Sequence, residues 1–140
     1  MLDDNCIFCK IIKKEIPAAI IYEDGKILAF LDIRPRNPGH TLIIPKEHVQ
    51  TIFEISEEEM TEIYKAARKI AMALKQSIEC DGVNIIQSNI VSQGVPHFHT
   101  HVIPRFFDDG MPIVWESNQE ASLEELQNIA EKIKNKIEEI

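Results

Sequence analysis

The segment Pro96-His97-Phe98-His99-Thr100-His101-Val102-Ile103-Pro104 puts three of the chain's five histidines at alternate positions. It reads as a strand, and a strand turns every second side chain to the same face. His97, His99 and His101 would then stand in a row, with neighbours about 6.6 Å apart at about 3.3 Å per residue, so a phosphate-sized group can touch two rings at once. Three readings are open to such a row. The rings can be ordinary polar side chains on a wet sheet face. They can ligate a catalytic zinc together with a water. Or one neutral imidazole can attack phosphorus, form a covalent phosphohistidine intermediate and be released by water. The last needs one ring nitrogen unprotonated and the other N–H held by an acceptor such as a backbone carbonyl. Neighbouring imidazoles or amides would gather the charge on the phosphate oxygens.

A second chemical signal is Cys6-Ile7-Phe8-Cys9 near the amino end. Three cysteines cannot all pair, and a reducing compartment keeps thiols free, so a structural disulfide is not expected. A redox pair expects a strand before the motif and a long helix after it, and no strand precedes Cys6. Cys80, beside the turn residues Asp81 and Gly82, reads as incidental.

The elements that must hold these residues follow from pattern. Cys6 to Ile12 suggests one helical turn before Pro17 interrupts it. Ile20 to Glu23 and Ile27 to Leu31, split by Asp24-Gly25, read as a hairpin. Pro35, Pro38 and Gly39 force a loop, which hands over to a strand at His40 to Pro45. Three sequential strands with short connections favour an antiparallel meander. Ser56 with Glu59 is a capping-box pattern, and Met60, Ile63, Tyr64, Ala67, Ile70, Ala71, Leu74 and Ile78 form one apolar stripe of a long helix ending at Asp81-Gly82. Val83 to Ser88 and Pro96 to Pro104 complete five strands around a loop at Asn89 to Gly94. Ser122 with Glu125 opens a second amphipathic helix carrying Leu123, Leu126, Ile129, Ala130, Ile133, Ile137 and Ile140. The expected fold is α+β: a five-stranded antiparallel meander sheet, a long central helix and a C-terminal helix, with helices packed mainly on one face.

Composition bounds the function. At 140 residues, 44% apolar and 27% charged, the chain fits one soluble globular domain with a core over about 6–104 and a helical tail over about 120–140. No apolar run approaches the roughly 20 residues of a membrane span, and the start Met1-Leu2-Asp3-Asp4-Asn5 is not a secretory signal, so a cytoplasmic protein is expected. A net charge of −8 argues against nucleic acid and anionic membranes as partners, while leaving room for a small phosphate ester.

HFHTHVIPR with QGVP before it resembles the histidine triad (HIT) signature. CIFCKIIKKEIPA, YEDGKILAFLDIRPRNPGHTLIIPKEHV, NIIQSN and the ending VWESNQEASLEELQNIAEKI are similar to the bacterial and archaeal Hit or Hint-like branch, in the same order. The resemblance implies a homodimeric nucleotide hydrolase or transferase. Its substrates would be purine nucleoside phosphoramidates, dinucleoside polyphosphates or nucleotidyl adducts, with His99 attacking the α-phosphorus. His101 and Gln93 would act at the phosphate. Phe8, Ile11, Phe30, Leu31 and Ile33 would wall the nucleoside, and Asn89, Gly94 and Val95 would lie along the phosphate loop. Asp32 would accept hydrogen bonds from the ribose, although a carboxylate directly after a strand also suits a loop cap. Cys6, Cys9, His48 and His97 would hold one structural zinc, a Cys2His2 set with no open position, and no catalytic cofactor is implied. The loop Ser88 to Val95 looks two residues shorter and bulkier than in relatives, and Gly94 stands where many have Ser or Thr. A binding module with negligible turnover and a metal-dependent hydrolase are the competing functions. The roles of Arg34, Arg36 and Trp115 are not readable from sequence.

Overall fold

The computed structural model describes residues 1–112 and 119–140; Trp115 lies outside the described residues. The elements, in chain order, are α1 (Ile7–Ile12), β1 (Ile20–Glu23), β2 (Ile27–Leu31), β3 (Thr41–Pro45), α2 (Glu57–Ser77), β4 (Gly82–Gln87), β5 (Thr100–Arg105) and α3 (Leu123–Glu139). Contacts divide them into two units, Met1–Asp109 with the sheet and α1 and α2, and Gly110–Ile140 with α3. No helix among the described residues is long and apolar enough to cross a membrane.

The local signals act as read. Asp24 accepts hydrogen bonds from the amides of Lys26 and Ile27 at 2.8 and 2.9 Å and so closes the β1–β2 turn. Ser56 caps α2 by accepting from the Glu59 amide at 3.1 Å. Cys6 is itself the N-cap of α1, its sulfur accepting from the Cys9 amide at 3.4 Å.

The sheet is antiparallel with five strands in the order β1-β2-β3-β5-β4. Only the first three form the expected meander. β5 pairs antiparallel with both β3 and β4, so β3 and β4 run the same way. Parallel strands need a long crossover, and α2 supplies it by carrying the chain to the far edge before β5 fills the gap.

Both sheet faces are covered, a second departure from the sequence expectation. On one face Ile27, Ala29, Ile43 and Val102 pack with Ile63, Ala67, Ile70 and Leu74 of α2. On the other, Leu28, Phe30, Leu42 and Ile44 pack with Phe8, Cys9 and Ile11 of α1. The reason is visible in β2 and β3, whose residues are buried without alternation, so each face must meet apolar cover. No residue of α3 is buried.

One glycine is required by packing. Gly39 has φ +94°, and a Cβ there would lie 2.9 Å from Leu74 Cδ2 and 3.2 Å from Pro104 Cγ. It lets the loop 32–40 pass close over the end of α2 and deliver His40 to the other face.

Candidate active site and metal centre

Strand hydrogen bonding begins at Thr100, so of the three alternating histidines only His101 sits in the ladder. The expected strand over Pro96 to Pro104 is therefore shorter at its start. Alternation nevertheless continues upstream. Phe98 enters the α2-side core with Val102. The rings of His97 and His99 meet Phe8 of the α1 side, at centroid separations of 5.9 and 5.2 Å. The amide of Phe98 donates to the carbonyl of Val49 at 2.7 Å, which holds the segment extended beside 49–50.

His97 belongs to a closed cluster. Its Nδ1 lies 3.4 Å from Cys6 Sγ, 3.6 Å from Cys9 Sγ and 3.2 Å from His48 Nδ1, and Cys9 Sγ is 3.3 Å from His48 Nδ1. Four ligands at zinc distances of about 2.0–2.3 Å on a tetrahedron stand roughly 3.3–3.8 Å apart, so these atoms fit one zinc ion closely. The ring is also turned the right way. His97 Nε2–H donates to the carbonyl of Pro45 at 3.0 Å, leaving Nδ1 as the lone pair that faces the sulfurs. Burial pushes His97 down to about 4 and holds the Cys9 thiol above its ordinary value. A cation among these atoms would relieve the cost of ionising the thiols.

His99 is set the opposite way. Its Nδ1–H donates to the carbonyl of His97 at 2.7 Å, so Nε2 carries the lone pair. Burial lowers its pKa, keeping the ring neutral and able to attack. The His101 ring is 5.0 Å away, centroid to centroid.

His101 in turn takes its tautomer from His40, a residue the sequence reading did not select for the site. The amide N–H of Arg36 donates to His40 Nδ1 at 3.1 Å, so the neutral His40 ring carries its proton on Nε2. That nitrogen lies 2.9 Å from His101 Nδ1 and donates to it, leaving the His101 proton on Nε2. One main-chain amide thus sets two rings in series, and His101 presents an N–H rather than a lone pair. Burial, then the neighbouring rings of His99 and His40, push His101 down to about 4. Asp32 Oδ2 lies 3.7 Å from His40 Nε2, and Asp32 Oδ1 accepts from the Arg34 amide at 2.9 Å. His40 carried a signal, since it is one of five histidines and opens a strand after Gly39, but a lone histidine gives no alternation to read.

The remaining candidates divide. Phe8, Ile11 and Phe30 are buried together beside His99, with Phe8 and Phe30 rings 5.6 Å apart. Val95 packs on the same cluster. Ile33 is 88% exposed. Leu31 lines a groove of about 500 Å³ on the α2 face with Ile21, Tyr22, Gly39 and Ile70, a groove without histidines. Gln93 is buried, its Oε1 accepting from the Ile90 amide at 3.1 Å and its Nε2 donating to the Gln50 carbonyl. Asn89 Oδ1 accepts from the Ile52 amide at 2.7 Å, and Asn89 Nδ2 donates to Gln87 Oε1 at 2.8 Å. Both amides therefore pin the loop 89–94. Ile90 and Ser92 hold φ of 68° and 62° there, left-handed positions that glycine fills at lower cost.

Known proteins match this arrangement along the chain. The family model described as the HIT domain covers residues 13–108. A crystal structure of a HIT family protein from Bacillus anthracis superposes with TM-score 0.87 at 46% identity, over 95% of this chain and 97% of that one. An adenosine 5'-monophosphoramidase, hnt1 of Schizosaccharomyces pombe, is 38% identical over 95% of this chain and 98% of its own length. A zinc-bound histidine triad family protein from Mycobacterium smegmatis is 35% identical with TM-score 0.74, over 81% of this chain and 84% of that one. Sequence and overall fold both agree, and the chain belongs to the HIT domain family.

Proposed function

We propose that this protein is a nucleotide hydrolase or transferase that works through a covalent nucleotidyl-His99 intermediate. The observation that carries the reading is the orientation of His99, whose Nδ1 is tied to a carbonyl at 2.7 Å while Nε2 is left with a lone pair. Nε2 attacks the α-phosphorus as the bond to the leaving group breaks. His101 Nε2–H donates to a phosphate oxygen and gathers charge there. Water then breaks the P–Nε2 bond and returns neutral His99. Over the cycle one water gives its hydroxyl to the nucleotide and its hydrogen to the leaving group. The S. pombe relative's activity as an adenosine 5'-monophosphoramidase supports a purine phosphoramidate as substrate, with dinucleoside polyphosphates and nucleotidyl adducts in the same class.

Phe8, Ile11, Phe30 and Ile33 wall the nucleoside in this reading, without Leu31, whose side chain faces the α2-side groove. Asp32 receives the ribose, and Asn89, Gln93, Gly94 and Val95 form the phosphate loop. Cys6, Cys9, His48 and His97 hold a structural zinc, which ties α1 to the sheet and supplies no step of the reaction. The chain acts as one HIT domain in a cytoplasmic homodimer whose sheets join, and the β4 edge with half-exposed Ile85 is available for that.

One observation favours a binding module with negligible turnover: the amides of Gln93 and Asn89 are already engaged within the loop. Rapid denaturation of protein mixed with radiolabelled adenosine phosphoramidate separates the two. Label retained on the parent and lost in His99→Ala supports the hydrolase; a parent that binds nucleotide and never retains label would establish the binder. Turnover that stops at once on chelation, with the fold intact, would replace both by a metal-dependent hydrolase. Parallel assays of adenosine phosphoramidate and diadenosine tetraphosphate define the leaving group.

A further inference from the structure

Arg34 and Arg36 flank Pro35 in the loop between β2 and β3, where their main-chain amides hold Asp32 and His40. Both side chains are exposed, and neither guanidinium has an ion-paired or hydrogen-bonded partner among the described residues. The contrast is with Lys13, Lys14, Lys26 and Lys46 of the same unit, each of which holds a carboxylate in a chain with 23 acidic and 15 basic residues. Asp32, the nearest carboxylate in sequence, is already engaged: Oδ1 accepts from the Arg34 amide at 2.9 Å and Oδ2 lies 3.7 Å from His40 Nε2. The backbone that carries the two cations is fixed. The Asp32 amide donates to the His40 carbonyl at 2.9 Å, the His40 amide to the Asn37 carbonyl at 3.0 Å, and Asn37 Nδ2 to the Pro104 carbonyl at 2.8 Å. Pro35 and Pro38 remove further freedom. The Cα atoms of Arg34 and Arg36 are at most about 7 Å apart, so both side chains can close on one anion. Burial is the main cause that holds His40 and His101 below their ordinary values, and the Arg36 cation acts in the same direction on both, as a charge beside the phosphate end of the site does.

We propose that Arg34 and Arg36 bind a second phosphate carried on the ribose, at its 2' or 3' oxygen, so that the preferred substrates are 5' nucleotide derivatives phosphorylated on the sugar. The proposal rests on the nucleotide reading of the site, in which Asp32 receives the ribose, and narrows the class of nucleotide. Asp32 keeps the hydroxyl that remains free, and the arginines take the esterified one. Dinucleotide-binding folds divide the same two groups in the same way, a carboxylate on a ribose hydroxyl and an arginine on a ribose phosphate. Guanidinium suits the task, because its planar fork meets two phosphate oxygens at once and stays charged at every working pH. Two cations against one carboxylate leave the rim locally positive. The chain's net charge of −8 acts from further away and is screened beyond about 10 Å.

Calorimetric titration of the full-length protein with AMP, ADP, adenosine 2',5'-bisphosphate and adenosine 3',5'-bisphosphate tests it. At low salt one of the two bisphosphates should bind about tenfold tighter than AMP, and the one that does identifies the oxygen; equal gains mean that either is accepted. The ratio to AMP should fall to about one in a double variant carrying Arg34→Gln and Arg36→Gln. A pair carrying Arg34→Lys and Arg36→Lys, which keeps the charge and loses the fork, should retain part of it. ADP places its added charge on the 5' chain, so its ratio to AMP should be the same in parent and variants. AMP binding with no advantage for either bisphosphate overturns the proposal and leaves the nucleotide reading standing. An advantage that survives in the double glutamine variant overturns it too. So does an ADP advantage that this variant removes, since the arginines would then face the 5' chain. Failure of all four ligands to bind overturns the nucleotide reading and this proposal with it.

Discussion

His97 and His99 are two residues apart and similarly buried, yet their backbones' surroundings give them opposite jobs. His97 spends its Nε2–H on the carbonyl of Pro45 and turns Nδ1 to two thiols. His99 spends its Nδ1–H on the carbonyl of His97 and leaves Nε2 open. A carbonyl 3 Å away is enough to fix which nitrogen is a base, so residue type and spacing place a histidine in a site without defining its role. The two environments also share an atom group: the carbonyl that orients His99 belongs to the residue that completes the thiol cluster.

The largest separation between the two rings should come from His99→Ala. In the proposed mechanism turnover falls at least about 1,000-fold while nucleotide affinity, measured by calorimetry, stays within a few-fold. Equal turnover in this variant would erase the distinction between the rings. Next in size is loss of the zinc. Removing it by chelation, or with Cys9→Ser, should lower stability by about 4 kcal/mol where free zinc stands a thousandfold above its Kd, read as a lower melting temperature. Turnover measured well below that temperature should fall much less, and an unchanged melting temperature would mean that the cluster holds no metal.

His40→Ala tests whether a ring outside the triad sets the proton on His101. Loss of the partner that orients a ligand or catalytic ring commonly costs about 10–100-fold, and that range is expected in kcat with little change in KM. The smallest effect is on stability against pH. His101 is held to about 4 against an ordinary value near 6.5, with His99, His40, Asp32 and Arg36 facing it. Between those values the unfolded chain binds a proton that the folded protein refuses. Stability is therefore full above about pH 6.5 and falls as pH drops toward 4. Calorimetric melts across that window should show the decline, and His101→Asn should make it shallower.

Much of this was legible in sequence where a signal is periodic or local. The alternation of His97, His99 and His101, the cap at Ser56 and the turn at Asp24 each rest on neighbours a few residues away, and each stands in the structure. What the sequence hid depends on partners distant in the chain. The position of β5 between β3 and β4 follows from where α2 lands, and no local pattern encodes that. The cover of the second sheet face by α1 rests on Phe8, Cys9 and Ile11, too few residues to show a period. His40 joins His101 from 61 positions away. The engaged amides of Gln93 and Asn89 reflect a loop whose length, rather than its residue types, sets its closure.

The proton order of His40 and His101 begins at a peptide nitrogen, not at a side chain. Mutation at position 36 is then nearly silent for that order: any residue other than proline brings the same N–H, whatever its size or charge. The arginine there is left at liberty to drift, or to serve other ends, without disturbing the rings behind it. A setting kept in the main chain is inherited through the shape of the loop, and selection can hold it in place without holding a letter of the sequence.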